Sequence, residues 1–333
     1  MGHAVPVGRC IGAKFPAHIT APVQYGDNIR AHAAYLVHHH MVSVSRTAEI
    51  LSSLTGTAIA ASTIQNAIQA VIEAVGPAVS LIREAIVRSP VLHADESGFD
   101  VNGTLCWLHV MATSNLTYCD VHPSRGEDAM KAIGVLIGYR GILVHDGYVC
   151  YKNLLECKHA LCNAHHLREL IAVAETTGQV WAMDMARLLV KASHRVNETQ
   201  AALSLPEQQI LASHYIRLLE EGEALNPRKV ADKGQAQQSH ATRLLRRLRE
   251  FNDQVLRFAS DPTVPFTNNI AEQTVRMPKV KLKIAGCFRT LAGARGFAAI
   301  RSYLSTLQKQ NRNLVESLIL ALRGSAPNPV PDG

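Results

Sequence analysis

Two short apolar runs in this chain each end on an aspartate. Val91-Leu92-His93-Ala94-Asp95-Glu96-Ser97 carries an acidic pair just before Gly98, and Gly141-Ile142-Leu143-Val144-His145-Asp146-Gly147 delivers His-Asp and then turns on a glycine. Side chains alternate faces along a strand, so Asp95 shares a face with His93 and Ser97 while Glu96 points the other way. Only one of the two adjacent acids can face a site. Open sheets hold their ligands just beyond the carboxyl ends of strands, so Asp95 and Asp146 converge there if their strands are neighbours. Carboxylates gathered in this way serve as ligands for a hard cation or as an acid/base pair.

Two later stretches add polar groups. Cys157-Lys158-His159-Ala160-Leu161-Cys162-Asn163-Ala164-His165-His166 brings thiols and imidazoles together, but the Cys-x-His-x-x-Cys-x-x-His spacing fits no common structural zinc site. No zinc is expected. The stretch reads as a buried strand ending at Cys162 and a helix from about Ala164, with His165 near the acidic site as an orienting or phosphate-facing group. Further on, Asn268-Asn269-Ile270-Ala271-Glu272 has Asn269 and Glu272 at the spacing of a capping box, which alone would account for the glutamate. A helix starting there also puts Asn268, Glu272 and Arg276 on one face, and a helix start is a rigid place from which to present a carboxylate.

The elements that must position these residues follow from pattern. Leu105 to Thr113 and Leu116 to His122 alternate as strands around Ser114-Asn115 and read as a hairpin. A helix starts after Ser124 and runs to Leu136, leading into the Asp146 strand. Strand, strand, strand, helix, strand is an economical α/β core. Ahead of it, residues 26 to 90 are helical: Ile29 to His40, Ser45 to Leu54, a Thr55-Gly56-Thr57 break, and Ser62 to Val75 capped by Ser62 or Thr63. That outline is a helix-turn-helix, yet the last helix offers only Gln65, Asn66 and Gln69 to a groove and no Lys or Arg between Ser62 and Leu81. A packing role is favoured. Adjacent residues on a helix diverge, so His38-His39-His40 is a poor metal site. Residues 1 to 25, with Pro6, Pro16 and Pro22, read as an irregular arm. Residues 176 to 262 read as a helical insertion, including a Gly/Gln-rich basic segment from Asn226 to His240. A basic helix within it carries Arg243, Arg246, Arg247 and Arg249 and suits a solvated face or a backbone clamp equally well.

With 333 residues, 47% hydrophobic and 18% charged, the chain is globular and too apolar overall to be disordered. No leader pattern and no run of about 20 apolar residues is present, which implies a cytoplasmic protein without a membrane span. Seven cysteines, without paired Cys-x-x-Cys spacing, fit reduced thiols. The charge is located. From Gln273 to Asn313 there are nine basic residues (Arg276, Lys279, Lys281, Lys283, Arg289, Arg295, Arg301, Lys309, Arg312) and no acid, while the remaining 25 Lys and Arg face 27 Asp and Glu. The net +7 therefore comes from one stretch, and a single-sign field of this kind favours a polyanion such as nucleic acid.

Asp95 in His-Ala-Asp-Glu-Ser, Asp146 in Val-His-Asp-Gly-Tyr, Cys162-Asn-Ala-His165-His-Leu-Arg-Glu-Leu, Asn268-Asn-Ile-Ala-Glu272, Gly286-Cys-Phe-Arg289 and Gly293-Ala-Arg295 together resemble the transposases of the insertion sequence 66 family, over about Phe15 to Leu322. The resemblance implies a ribonuclease-H-like core, a mixed sheet with flanking helices, with an N-terminal helical domain and a large helical insertion. It implies a D-D-E triad of Asp95, Asp146 and Glu272, supported by Cys162, His165, Asn268, Asn269 and Arg276. Residues 91–175 and 263–323 would form the core and 324–333 a disordered tail. Three clustered carboxylates repel one another unless cations bind, and oxygen ligands suit Mg²⁺ or Mn²⁺, as two ions. The implied reaction is phosphodiester cleavage at transposon ends and strand transfer into target DNA, by a homo-oligomer on DNA, with accessory proteins of the same element as further partners and a nucleoid-associated location. Arg276, Lys279, Lys281, Lys283, Arg289, Arg295 and Arg301, with Arg243, Arg246 and Arg247, would contact the DNA.

The family usually carries a coiled coil and a cysteine-paired zinc-binding region ahead of this part, of which this chain is expected to retain at most Cys10. The position after the glutamate is Gln273 where arginine is common, and Ser97 stands where threonine is often found. The alternative reading is a truncated, catalytically inactive DNA-binding derivative. An acid/base hydrolase would explain neither the basic stretch nor the 5% aromatic content.

Overall fold

The computed structural model describes residues 25–228 and 237–330. The arm at residues 1–24 with Cys10, and the middle of the Asn226 to His240 segment, lie outside the described residues. At the centre is a five-stranded mixed sheet in the order β3-β2-β1-β4-β5. Its strands are β1 (Val91–Val101), β2 (Thr104–Ala112), β3 (Thr117–His122), β4 (Ile142–His145) and β5 (Lys158–Leu161). The first three form an antiparallel meander, and β4 and β5 join β1 in parallel. A mixed sheet flanked by helices is compatible with the core that the sequence motifs imply.

Strand β1 is longer than the apolar run suggests. It passes through Gly98 to Val101 and turns on Asn102 and Gly103, both with positive φ (49° and 83°), so that Val101 pairs with Thr104. Asn-Gly is the preferred two-residue hairpin turn, because both positions need the left-handed region. Gly98 lies inside the ladder rather than ending it, with Leu105 and Trp107 close over its α-carbon.

Among the described residues three helices precede the sheet: α1 (Asp27–His38), α2 (Val44–Thr55) and α3 (Ala61–Val87). The third is not capped by Ser62 or Thr63, since Ala60 holds the N-cap position without a side-chain bond, and it does not stop at Val75. It continues past Pro77 because its apolar face continues. Val71, Val75, Ala78, Ile82 and Ile86 are all buried against the sheet and the C-terminal helices. Burial at helical spacing outweighs the single hydrogen bond that a proline removes.

After β3 come α4 (Glu127–Ile133), which crosses to β4, and then α5 (Asn163–Thr177) directly after β5. Among the described residues five helices follow, α6 (Val180–Thr199), α7 (Leu205–Leu225), α8 (His240–Glu250), α9 (Asn252–Val255) and α10 (Arg257–Ser260). They share a core with the sheet end at Val144, Ala160 and Leu161, through Trp181, Met185, Leu189, Tyr215, Leu244 and Phe258. Returning to the sheet are α11 (Asn269–Val275), α12 (Met277–Ala285), α13 (Leu291–Lys309) and α14 (Leu314–Leu322).

Helix α13 covers the outer edge of β3, where backbone groups would otherwise be unpaired. Cys119 N–H donates to Ser302 Oγ (2.8 Å), Thr117 N–H donates to Thr306 Oγ1 (2.9 Å), and Lys309 Nζ donates to the carbonyls of Thr113 and Leu116. Capping an edge in this way blocks further strand pairing. Beyond α14, Arg312 and Gln310 donate to the carbonyls of Asn328 and Pro329, and the last three residues of the expected tail lie outside the described residues.

Candidate active site

The parallel register sets Val91, Leu92 and His93 beside Ile142, Leu143 and Val144. Two further steps along each strand bring Asp95 beside Asp146, just past the end of β4. Asp146 sits on a turn built for it. Gly147 adopts φ 91°, its N–H donates to His145 Nδ1 (3.0 Å), and the Asp146 Oδ1 accepts from Tyr148 N–H (2.9 Å). Because His145 Nδ1 accepts, its Nε2 carries the proton and donates to His159 Nδ1 (3.0 Å), and His159 Nε2 donates to Leu154 O (3.0 Å). Burial pushes the His145 pKa down to about 3, so this chain of rings is neutral at physiological pH.

Asp95 feels the other acids. Its pKa is pushed up to about 7, first by burial and then by Glu96, Asp146 and Glu272, while the Glu96 N–H donating to it pulls the other way. Glu96 lies on the opposite face, as alternation requires. Its buried carboxylate takes Arg125 Nε (2.9 Å) and Nη2 (2.8 Å) and a short bond from Tyr151 Oη. Arg125 in turn lies over the rings of Tyr148 and Trp107.

Glu272 arrives from α11, whose start differs from a capping box. The N-cap is Asn268, not Asn269, and its side chain caps nothing. Instead Asn268 Nδ2 donates to Ala94 O (2.9 Å) and its Oδ1 accepts from His93 Nδ1 (2.8 Å), while its N–H donates to Cys162 Sγ (3.1 Å). The fully buried Asn268 thus fastens α11 to β1 and to the end of β5. Asn269, exposed at the first helical position, makes no such contact. Glu272 Oε1 lies 3.6 Å from both Cys162 Sγ and His165 Nδ1, and Oε2 accepts from Arg276 Nη2 (3.1 Å), the i+4 neighbour. Cys162 is held in line because its N–H donates to His145 O (2.9 Å). Adjacent parallel strands thus bring Asp146 and Cys162 to one end of the sheet, with Asp95 alongside on β1.

The thiols and imidazoles of the cysteine-histidine stretch separate. Cys157 turns to Leu154 O and His159, while Cys162 and His165 face Glu272.

The basic residues divide into two groups. Lys279, Lys283, Arg289 and Arg295 are exposed, as is Arg276 beside Glu272. Arg301 is not a surface cation: it is 7% exposed, and burial lowers its pKa. It lies on the inward face of α13, one turn after Phe297, so it is removed from the residues expected to meet DNA. Lys281 is half-buried, donates to Gly286 O (3.1 Å) and lies over the Phe288 ring. On α8, Arg243, Arg246 and Arg247 line a cleft of about 430 Å³ with Lys152 and His240, and the acids Glu169 and Glu250 line it too, Glu169 accepting from Arg247 (2.6 Å).

Among the described residues no helix is long and apolar enough to cross a membrane. Comparison with curated proteins finds no match. A family model described as "Transposase IS66 family" matches residues 22–296, which spans the sheet, the helices after β5, and α11 and α12 with the basic residues between Gln273 and Arg295. With that match covering most of the chain and both aspartates and the glutamate falling inside it, the chain belongs to the IS66 family of transposases.

Proposed function

We propose that the chain cleaves phosphodiester bonds at the ends of a mobile element and joins them to target DNA, with Asp95, Asp146 and Glu272 as catalytic carboxylates on a ribonuclease-H-like core. The supporting observation is the meeting of Asp95 and Asp146 at one sheet end, with Glu272 near enough to act on the same Asp95 charge. Mutual repulsion among oxygen ligands is the condition that a divalent cation relieves, so the donor set fits Mg²⁺ or Mn²⁺. A pair of such ions, when bound, would activate the attacking hydroxyl and offset charge on the leaving oxygen.

The chain's own residues prepare that site. Asn268 fixes where α11 begins, Cys162 and His165 flank one oxygen of Glu272, and Arg276 holds the other. Exposed Lys279, Lys283, Arg289 and Arg295 supply a track for phosphates, and Arg243 and Arg246 supply another. On this reading residues 91–175 and 263–323 form the core, 26–90 a packing helical unit and 176–262 an insertion. The partners are transposon-end and target DNA, a second copy of the chain, and accessory proteins of the same element. A nicking assay with Mn²⁺ on labelled DNA carrying the element ends tests the reading. Wild-type chain should nick and Asp95→Asn should not. End binding without nicking by wild type would make the chain a DNA-binding derivative without catalysis.

A further inference from the structure

Cys162, His165 and Glu272 each offer one ligand atom, and these atoms lie within 4.8 Å of one another. The thiol and imidazole atoms are each 3.6 Å from the same Glu272 oxygen. A tetrahedral ion with metal–ligand lengths of about 2.0–2.3 Å has ligand–ligand edges of roughly 3.3–3.6 Å, so the two edges at Glu272 Oε1 already match such a site, and the third, between Cys162 and His165, lies within 4.8 Å and closes by a side-chain adjustment. A second observation points the same way. His165 Nδ1 is buried without a hydrogen-bond partner, although the ring as a whole is about a third exposed (34%). The nitrogen stands at ion-pair distance from the Glu272 carboxylate yet makes no hydrogen bond, which leaves its lone pair open to an ion. The local spacing of cysteines and histidines does not reveal it because Glu272 lies 110 residues from Cys162.

We propose that Cys162, His165 and Glu272 form a site for a thiophilic divalent ion of the Zn²⁺ or Co²⁺ class, with the fourth position open. A sulfur, nitrogen and oxygen donor set selects such ions over Mg²⁺. On binding, the Cys162 thiol gives its proton to solvent as the sulfur–metal bond forms, and no electron is transferred. The consequence rests on the proposed function: an ion held here takes Glu272 Oε1, so the thiophilic ion opposes Mg²⁺-dependent cleavage.

Co²⁺ titration of the metal-stripped, reduced full chain tests the site without any need for activity. One equivalent should produce a thiolate-to-cobalt charge-transfer band with the visible bands of a four-coordinate ion, and Zn²⁺ should displace it. Cys162→Ser should lose the charge-transfer band. His165→Gln, at a partly exposed ring, should weaken binding by at least the roughly 10- to 100-fold that loss of even an outer partner costs. Cys157→Ser, Cys287→Ser and Asp95→Asn should retain the band. No thiolate band in the wild type, a band that survives Cys162→Ser, undiminished affinity in His165→Gln, or loss with Asp95→Asn would each overturn the proposal. Failure of the wild type to nick DNA counts against the proposed chemistry alone and leaves the cobalt result standing.

Discussion

Asp95 carries the cost of gathering acids, and that cost has a sign. Its pKa in the folded chain is about 7 against an ordinary 3.8, so between these values the metal-free folded protein holds a proton that the unfolded chain has released. Stability therefore falls as pH rises through this window and the deficit is complete above about 7. Asp95→Asn should stabilise the metal-free protein at pH 8 by about 2–4 kcal/mol and change little at pH 4, as read by urea denaturation. Added Mg²⁺ should then stabilise wild type and not the variant. Glu96 raises Asp95 from behind the strand while serving Arg125 and Tyr151. Glu96→Gln should leave nicking in place and lower the Asp95 titration midpoint, while costing about 1–2 kcal/mol of stability because the partly exposed Arg125 guanidinium trades a charged acceptor for a neutral one. Loss of nicking with unchanged stability would make Glu96 part of the chemistry.

At the scale of elements, the site depends on how α11 is tied to the sheet. Asn268→Ala removes the acceptor of His93 and the donor to Ala94 O, leaving two buried groups unpaired at a cost of about 2–4 kcal/mol. Because these bonds also set where Glu272 points, nicking should fall much further than DNA affinity, and equal losses in both would mean the clamp serves folding only. The α13 edge cover makes a separate claim. Ser302→Ala deprives the buried Cys119 N–H of its partner and should cost about 1–3 kcal/mol, with faster amide exchange confined to β3. Exchange unchanged at Cys119 would refute that role for the helix.

For the whole molecule the question is how much of the basic stretch reaches solvent. Lys279, Lys283, Arg289 and Arg295 do, whereas Arg301 and Lys309 are spent inside. The four phosphate contacts of this stretch should contribute about −3.5 to the slope of log affinity against log salt on duplex DNA. Replacing Lys283 and Arg289 with alanine should flatten it by about 2 on every sequence alike, because phosphate contacts position without specifying. Arg301→Met should leave the slope where it is, and a flatter slope would mean that its guanidinium reaches DNA after all.

The sequence by itself determined the strands that carry Asp95 and Asp146, the opposite facing of Glu96, the helix that begins near Asn268 and the packing role of α3. Each of these rests on alternation, helical period or charge count, which are local and survive in the chain as written. The Asn102-Gly103 turn is equally legible, since that pair marks a hairpin, although the apolar run by itself stops at Gly98. Other features depended on contacts between distant residues. Only the tertiary structure could decide that Asn268 would clamp rather than cap, because its partners His93 and Ala94 lie some 175 residues away. Likewise a run of nine cations looks uniform in sequence, whereas the helix that carries Arg301 and Lys309 turns them toward a sheet edge. The meeting of Cys162, His165 and Glu272 belongs to the same class: spacing describes ligands from one segment, and a site assembled from a strand end, a helix start and a remote helix exists only once the chain has folded.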